Sequence, residues 1–137
     1  MLRATWQAVA NSYNEQAAKH DSTMAMAMAL LYIDSKQGTP STALGPSMGM
    51  EATSLSRTLN SLEKRGLIYR EKNPEDGRSV LVKLTDQGLE KRDISKASVF
   101  EFNQAVRDNI SKEKIDHFFE VTELINELIN QRTIFKD

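Results

Sequence analysis

Cysteine is absent from the 137 residues, which excludes disulfides, a thiol redox switch and any thiolate metal site. Histidine is scarce: His20 and His117 are the only two, and neither sits in a His/Cys/carboxylate cluster at ligand spacing, so no metal site is expected. No run of 18 apolar residues occurs, and the N-terminus lacks the basic flank and apolar core of a signal peptide; a soluble, cytoplasmic chain is expected. No nucleophile motif, phosphate loop or catalytic constellation is visible, and isolated Ser or Glu residues do not make one, so neither an enzyme nor a cofactor is expected. An excess of either charge is lacking too, with 18 Lys and Arg against 19 Asp and Glu. What remains is 39% hydrophobic residues in a chain long enough to bury one core.

The information is concentrated between Glu51 and Gly88. Leu55, Leu59 and Leu62 recur at intervals of four and three, one apolar stripe on a helix. Thr53, Ser54, Ser56, Arg57, Asn60 and Ser61 occupy the other faces. Short hydroxyls with one arginine near a helix N-terminus can reach base edges and phosphates in a major groove, although a plain solvated face has a similar composition. Lys64 and Arg65 put cations in the last turn, and Gly66 stands where a C-cap accepts positive φ. Leu67 to Lys72 then reads as a strand, Asn73-Pro74-Glu75-Asp76-Gly77 as a turn, and Ser79 to Leu84, with Val80 and Val82 alternating, as the returning strand. Upstream, Met48-Gly49-Met50 is a tight turn closing a short helix, for which Thr39 and Pro40 form an N-cap and N1 pair. Within that short helix, Gly45-Pro46 predicts a kink, a 3₁₀ turn or an early end near Gly45.

The flanks read as long helices. Leu2, Trp6, Val9, Tyr13 and Ala17 form a stripe on a helix reaching about Lys19. A second helix, capped by Asp21 or Ser22, carries Met24, Met26 and Met28 and continues through Tyr32. Thr85 opens a helix to about Asn109, and Ser111 opens another. In the last helix Ile115, Phe118, Thr122, Ile125 and Ile129 form one stripe that Phe119, Leu124 and Leu128 widen, so its apolar face needs a partner, from this chain or another.

Helix, glycine turn, helix and hairpin stand in winged helix-turn-helix order. The residues Leu62-Glu63-Lys64-Arg65-Gly66-Leu67-Ile68, Arg70, Asp76-Gly77-Arg78, and Leu84-Thr85 followed by Gly88 resemble the MarR family (multiple-antibiotic-resistance regulators), bacterial transcription factors that act as homodimers. The resemblance implies a mainly α (α+β) fold: a winged helix-turn-helix over 22–88 with a two-stranded β-hairpin wing, and helical dimerisation parts at 1–20 and 89–137, in a single domain. It implies double-stranded DNA with a palindromic operator as partner, and a repressor released by a small aromatic or lipophilic effector. Thr53, Ser54, Ser56 and Arg57 correspond to the recognition helix, with Asn60 a weaker reader. Arg78 corresponds to the arginine that enters the minor groove and Asp76 to the aspartate that orients it. Ser41 and Thr42 at a helix N-terminus, and Arg70 beside the wing, suit phosphates. Trp6, Tyr13, Met24, Met28 and Tyr32 face the expected effector crevice, although such residues serve a core equally well. Without cysteine, the thiol-based peroxide sensing of some relatives is excluded. Two alternatives stay open: a winged-helix module that binds protein and has lost DNA binding, and a DNA-binding regulator without a ligand.

Charge distribution fits this reading. Residues 51–83 hold seven Lys and Arg against five Asp and Glu, residues 84–137 eight against eleven, and residues 1–50 three of each. The positive end is the expected DNA-binding end, and an acidic rear helps to orient it.

Overall fold

The structure, a computed structural model, describes residues 1–132, 134 and 135; the expected dimerisation part 89–137 also includes residues 133, 136 and 137, which lie outside the described residues. The elements in order are α1 (Leu2–Ala18), α2 (Met24–Tyr32), β1 (Thr39–Pro40), α3 (Ser41–Met48), α4 (Ala52–Lys64), β2 (Ile68–Lys72), β3 (Val80–Leu84), α5 (Asp86–Asn109) and α6 (Lys112–Asn130). Two compact units divide the chain, Met1–Ser98 and Val99–Asp137.

In the first unit the core is drawn entirely from residues 26 to 82. Met26, Ala29, Leu30 and Ile33 of α2 and its C-cap meet Leu44 and Met48 of α3 and Leu55, Leu59 and Leu62 of α4. Leu67, Ile68 and Val82 close it from the sheet. Each such side chain larger than alanine, withdrawn from water, contributes on the order of 1.5–3 kcal/mol, against the entropy of ordering the chain. Thr58 is buried among the leucines and satisfies its hydroxyl by donating to the Ser54 carbonyl at 3.1 Å.

Helices α3 and α4 stop by the same device. Gly49 (φ 64°) and Gly66 (φ 73°) each turn the chain into the left-handed region that glycine adopts without a Cβ penalty. Beyond them Met50 N–H donates to Gly45 O at 3.0 Å and Leu67 N–H to Leu62 O at 2.9 Å, the six-to-one bond that satisfies carbonyls left over at a helix end.

Three expectations need correction. Thr39 and Pro40 do not begin α3; they form β1, which pairs antiparallel with β3 through Thr39↔Val82 and Pro40↔Leu81. The hairpin β2–β3 therefore gains a third strand, in the order β1-β3-β2. A proline is tolerated there because an edge strand leaves one side of its backbone unpaired. Secondly, the N-cap of α2 is Thr23, whose hydroxyl accepts from Met26 N–H at 3.2 Å, and not Asp21 or Ser22. Asp21 instead takes a positive φ of 54° in the α1–α2 turn. Thirdly, α3 neither ends at Gly45 nor becomes 3₁₀ but runs through Pro46 to Met48. Gly45 offers no Cβ to the proline ring, which removes much of the clash that disfavours helix before proline. The amide that Pro46 lacks would have bonded Thr42 O, an exposed first-turn carbonyl that water can reach.

The α1–α2 turn is held from two sides. Arg65, the C-cap of α4, donates a short hydrogen bond from Nη1 to the Asp21 carbonyl, and its guanidinium lies 3.6 Å from the Asp21 carboxylate. Lys91 Nζ of α5 donates to His20 O at 3.1 Å. Asn14 Oδ1 of α1 accepts from Met24 N–H at 2.9 Å, tying the end of α1 to the start of α2.

The junction of sheet and α5 explains Gly88. Thr85 N–H donates to Leu67 O at 3.1 Å, while the Thr85 hydroxyl donates to Gly66 O at 2.6 Å and accepts from Gly88 N–H at 3.0 Å, which makes it the cap of α5. This double stitch brings α5 so close to the chain at Leu67 that a Cβ on Gly88 would lie 1.9 Å from Leu67 O. The clash is with backbone and cannot be relieved by a rotamer change. Gly88→Ala should therefore destabilise the protein by about 1–3 kcal/mol, read as a lowered urea midpoint; an unchanged midpoint would mean that α5 is not docked this closely.

The second unit contains the end of α5 and α6. Ser111 caps α6 by accepting from Lys114 N–H at 3.3 Å. No residue of α6 is buried.

Candidate nucleic-acid interface

Burial of the leucine stripe decides what α4 presents outward. Leu55 is 7% exposed, Leu59 4% and Leu62 0%, so Thr53, Ser54, Ser56, Arg57 and Asn60 all lie on the exposed side. Short side chains at the N-terminal half keep this face low and leave Arg57 standing above it. The helix begins after Glu51 with no side chain capping its first amides, and the same is true of α3 after Pro40. Those amides carry the positive end of a helix dipole beside Thr42, which is exposed, and Ser41, which is half-buried.

The wing tip is built on two side-chain-closed turns. Asn73 Oδ1 accepts from Glu75 N–H at 3.0 Å, and Asn73 also bonds Ser79 twice, from its amide to Ser79 O at 3.2 Å and from Nδ2 to Ser79 Oγ at 2.9 Å. Asp76 Oδ1 accepts from Arg78 N–H at 3.0 Å, and its carbonyl accepts from Ser79 N–H at 3.1 Å. Asp76 therefore fixes the backbone that carries Arg78, and the Arg78 side chain is exposed at the tip. Asn73 and Ser79 were missed as organisers of this tip. Asparagine two residues before a turn amide is the signal that could have found the first.

Arg70, on β2, is not a loose surface charge. Its Nη2 donates to Asn60 Oδ1 of α4 at 2.9 Å, and its Nε lies 3.2 Å from Glu63 Oε2. The sequence reading placed Arg70 and Asn60 separately and gave Glu63, quoted only within the family motif, no role at the site. Diagonally across the β2–β3 ladder, Lys83 Nζ bonds Glu71 Oε1 at 2.8 Å, and this hydrogen bond holds the lysine above its ordinary pKa despite some desolvation.

The residues expected to face an effector crevice are less uniform. Tyr13 is half-buried, and burial pushes its phenol pKa up. Met24 is half-buried and Met28 packs against the core, whereas Trp6 and Tyr32 are 57% and 46% exposed. The packing of α1 on α2 gathers part of the set, and Met28 belongs at least partly to the core.

Three helices over a small antiparallel sheet, with a polar-faced second helix and an arginine-tipped hairpin, define a winged helix-turn-helix protein. Residues 23–80 of this chain match the MarR family. The uncharacterized HTH-type transcriptional regulator YdgJ of Bacillus subtilis (strain 168) is 36% identical over 67 residues, 49% of this chain and 41% of that protein. The match thus spans less than half the length of that relative. The HTH-type transcriptional regulator SarZ of Staphylococcus haemolyticus (strain JCSC1435) is 27% identical over 116 residues, 80% of this chain and 79% of its own. A crystal structure of an S. aureus MepR–DNA complex shares the fold with a TM-score of 0.79 at 19% identity, covering 93% of this chain and 98% of that one.

The two roles open to Asp76, holding the Arg78 backbone or only making the turn polar, separate by substitution. In Asp76→Ala the Arg78 amide should lose its protection in hydrogen exchange, while global stability falls by no more than about 1 kcal/mol, as for loss of one exposed cap. Unchanged exchange at Arg78 would remove Asp76 from the architecture of the tip.

Proposed function

We propose that this protein is a sequence-specific DNA-binding transcriptional regulator that works as a homodimer, in the manner of a repressor relieved by a small molecule. The observation that carries the reading is the exposed face Thr53, Ser54, Ser56 and Arg57 on a helix whose opposite side is locked into the core, next to a wing tip that presents Arg78. In this reading α4 enters the major groove and reads base edges, Arg78 enters the adjacent minor groove, and Ser41, Thr42 and Arg70 contact phosphates. Residues 22–88 are the reading part, and 1–20 with 89–137 the dimerisation part of one functional domain. The MarR assignment of residues 23–80 and the regulator relatives support it.

Dimerisation is supported by what the flanking helices leave uncovered. No residue of α1 or α6 is buried, and in α6 Phe118, Phe119, Val121, Leu124, Leu128 and Ile129 are each at least 47% exposed. So much aromatic and aliphatic surface is what a subunit of an obligate pair presents when taken alone. An isologous pair makes two reading heads related by a two-fold axis, which matches a palindromic operator with half-sites about one DNA turn apart. Charge-introducing Leu124→Glu should convert a dimer to monomer or to aggregate in sedimentation; an unaltered dimer would move the interface elsewhere.

Fluorescence anisotropy with fragments of the protein's own upstream region tests the DNA reading. Binding should saturate and weaken steeply with salt. Arg57→Ala should cost roughly 1–3 kcal/mol in a sequence-dependent way, and Arg78→Ala a similar amount. Absence of saturable, salt-sensitive binding would favour the protein-interaction module. For the effector, a thermal-shift screen of aromatic acids and lipophilic compounds should raise the melting temperature for at least one compound that also releases DNA; no hit would favour regulation without a ligand.

A further inference from the structure

We infer that Asn60 and Glu63 are positioning residues that hold Arg70 as a pre-set phosphate clamp at the base of the wing, so that the outer face of α4 is divided between base reading in its first half and clamp support in its second. The inference rests on the DNA-binding reading above. It follows from how a guanidinium can be shared. Arginine has five N–H donors in one plane, and Nε–H and one Nη2–H lie along the same edge. Here that edge is taken by Glu63 Oε2 at 3.2 Å and Asn60 Oδ1 at 2.9 Å, both from α4, while Arg70 itself is on β2. The plane is thereby fixed against two successive turns of a helix. The outer end of the fork, Nη1 with the second Nη2–H, has no partner among the described residues and is the part that fits two phosphate oxygens side by side.

The same geometry removes Asn60 from base reading. Asparagine recognises adenine by accepting at Oδ1 and donating from Nδ2 together. With one lone pair of Oδ1 held by Arg70, the amide is anchored to the wing and is not free to set both its groups against an adenine edge. It also accounts for a carboxylate on a face meant for DNA: Glu63 beside Arg70 leaves a neutral pair, so it neither repels a phosphate strongly nor adds long-range attraction. The side chains of Arg70 and Glu63 remain 33% and 48% exposed, close enough to solvent for a phosphate to reach the fork.

The test compares Asn60→Ala, Arg70→Gln and the double variant on two duplexes of equal length, the tightest-binding upstream fragment and a scrambled sequence, over a range of salt. Melting temperatures are taken first, with Asn60→Ser as a second variant should Asn60→Ala fold poorly. Arg70→Gln should weaken both duplexes alike and reduce the slope of log K against log salt by about one per subunit. Asn60→Ala should weaken both alike by roughly three- to ten-fold, with a reduced slope, and should add nothing in the Arg70→Gln background. A loss confined to the upstream fragment, or one additive with Arg70→Gln, would make Asn60 a base reader and overturn the clamp. An unchanged affinity with a lowered melting temperature would make the pair merely structural and overturn it as well. Failure of the unsubstituted protein to bind either duplex would overturn the regulator reading itself, a result distinct from both.

Discussion

Everything outward-facing in the winged-helix part depends on the seam made by Leu55, Leu59 and Leu62 against α2, α3 and the sheet. A thirteen-residue helix with a polar exterior has little reason to form by itself, since short helices are marginal in water without tertiary burial. Its leucines supply that burial, and because they recur with the period of the helix they fix its rotation about its own axis as well as its existence. Rotation is the property that matters, as a slip of one residue would turn Arg57 by about 100° and bring a different set of side chains to the front. Thr58 strengthens the setting. A buried threonine that satisfies itself on the Ser54 carbonyl tolerates this position and no partner elsewhere is needed.

A second dependence runs along the chain's ends. The core is made between residues 26 and 82, so α1, α5 and α6 add hydrophobic surface without adding buried side chains, Gly88 excepted. A chain with this division keeps its buried core in the winged-helix part and leaves a large apolar surface on its flanks. Whatever covers those helices would also raise the stability of the whole by mass action.

Much of this was legible in the residues. The leucine stripe, the glycine stops at 49 and 66, the hairpin and the caps at Thr85 and Ser111 are local signals, each governed by spacing or backbone preference within a few residues. What escaped was either too short or too distant. Strand β1 has two residues, too few for alternation, and exists because β3 offers it a partner more than forty positions away. Pro46 looked like a break because the rule concerns the ring, whereas the outcome depended on the glycine before it and on an exposed carbonyl. Asp21 resembled a cap by type, but Thr23 stood in the right register. Among the candidate contact residues, Arg57 and Arg78 were picked out by their positions in a pattern; the Arg70–Asn60–Glu63 set was not, because the strand and the helix it joins meet only in the folded chain.

The grip of Arg65 on the α1–α2 turn has a mechanical meaning. Helix α4 is about 20 Å long by its rise per residue, and the contact with Asp21 is made at its C-terminal end, opposite the end that bears Thr53 and Ser54. Leu55, Leu59 and Leu62 seat the rod along its length, and Arg65 ties its C-terminal extremity to the turn. The placement of His20 and Asp21 is thereby coupled to the orientation of the rod. Lys91 holds the same turn from α5, so the fourth helix and the fifth meet on the one turn that follows the first.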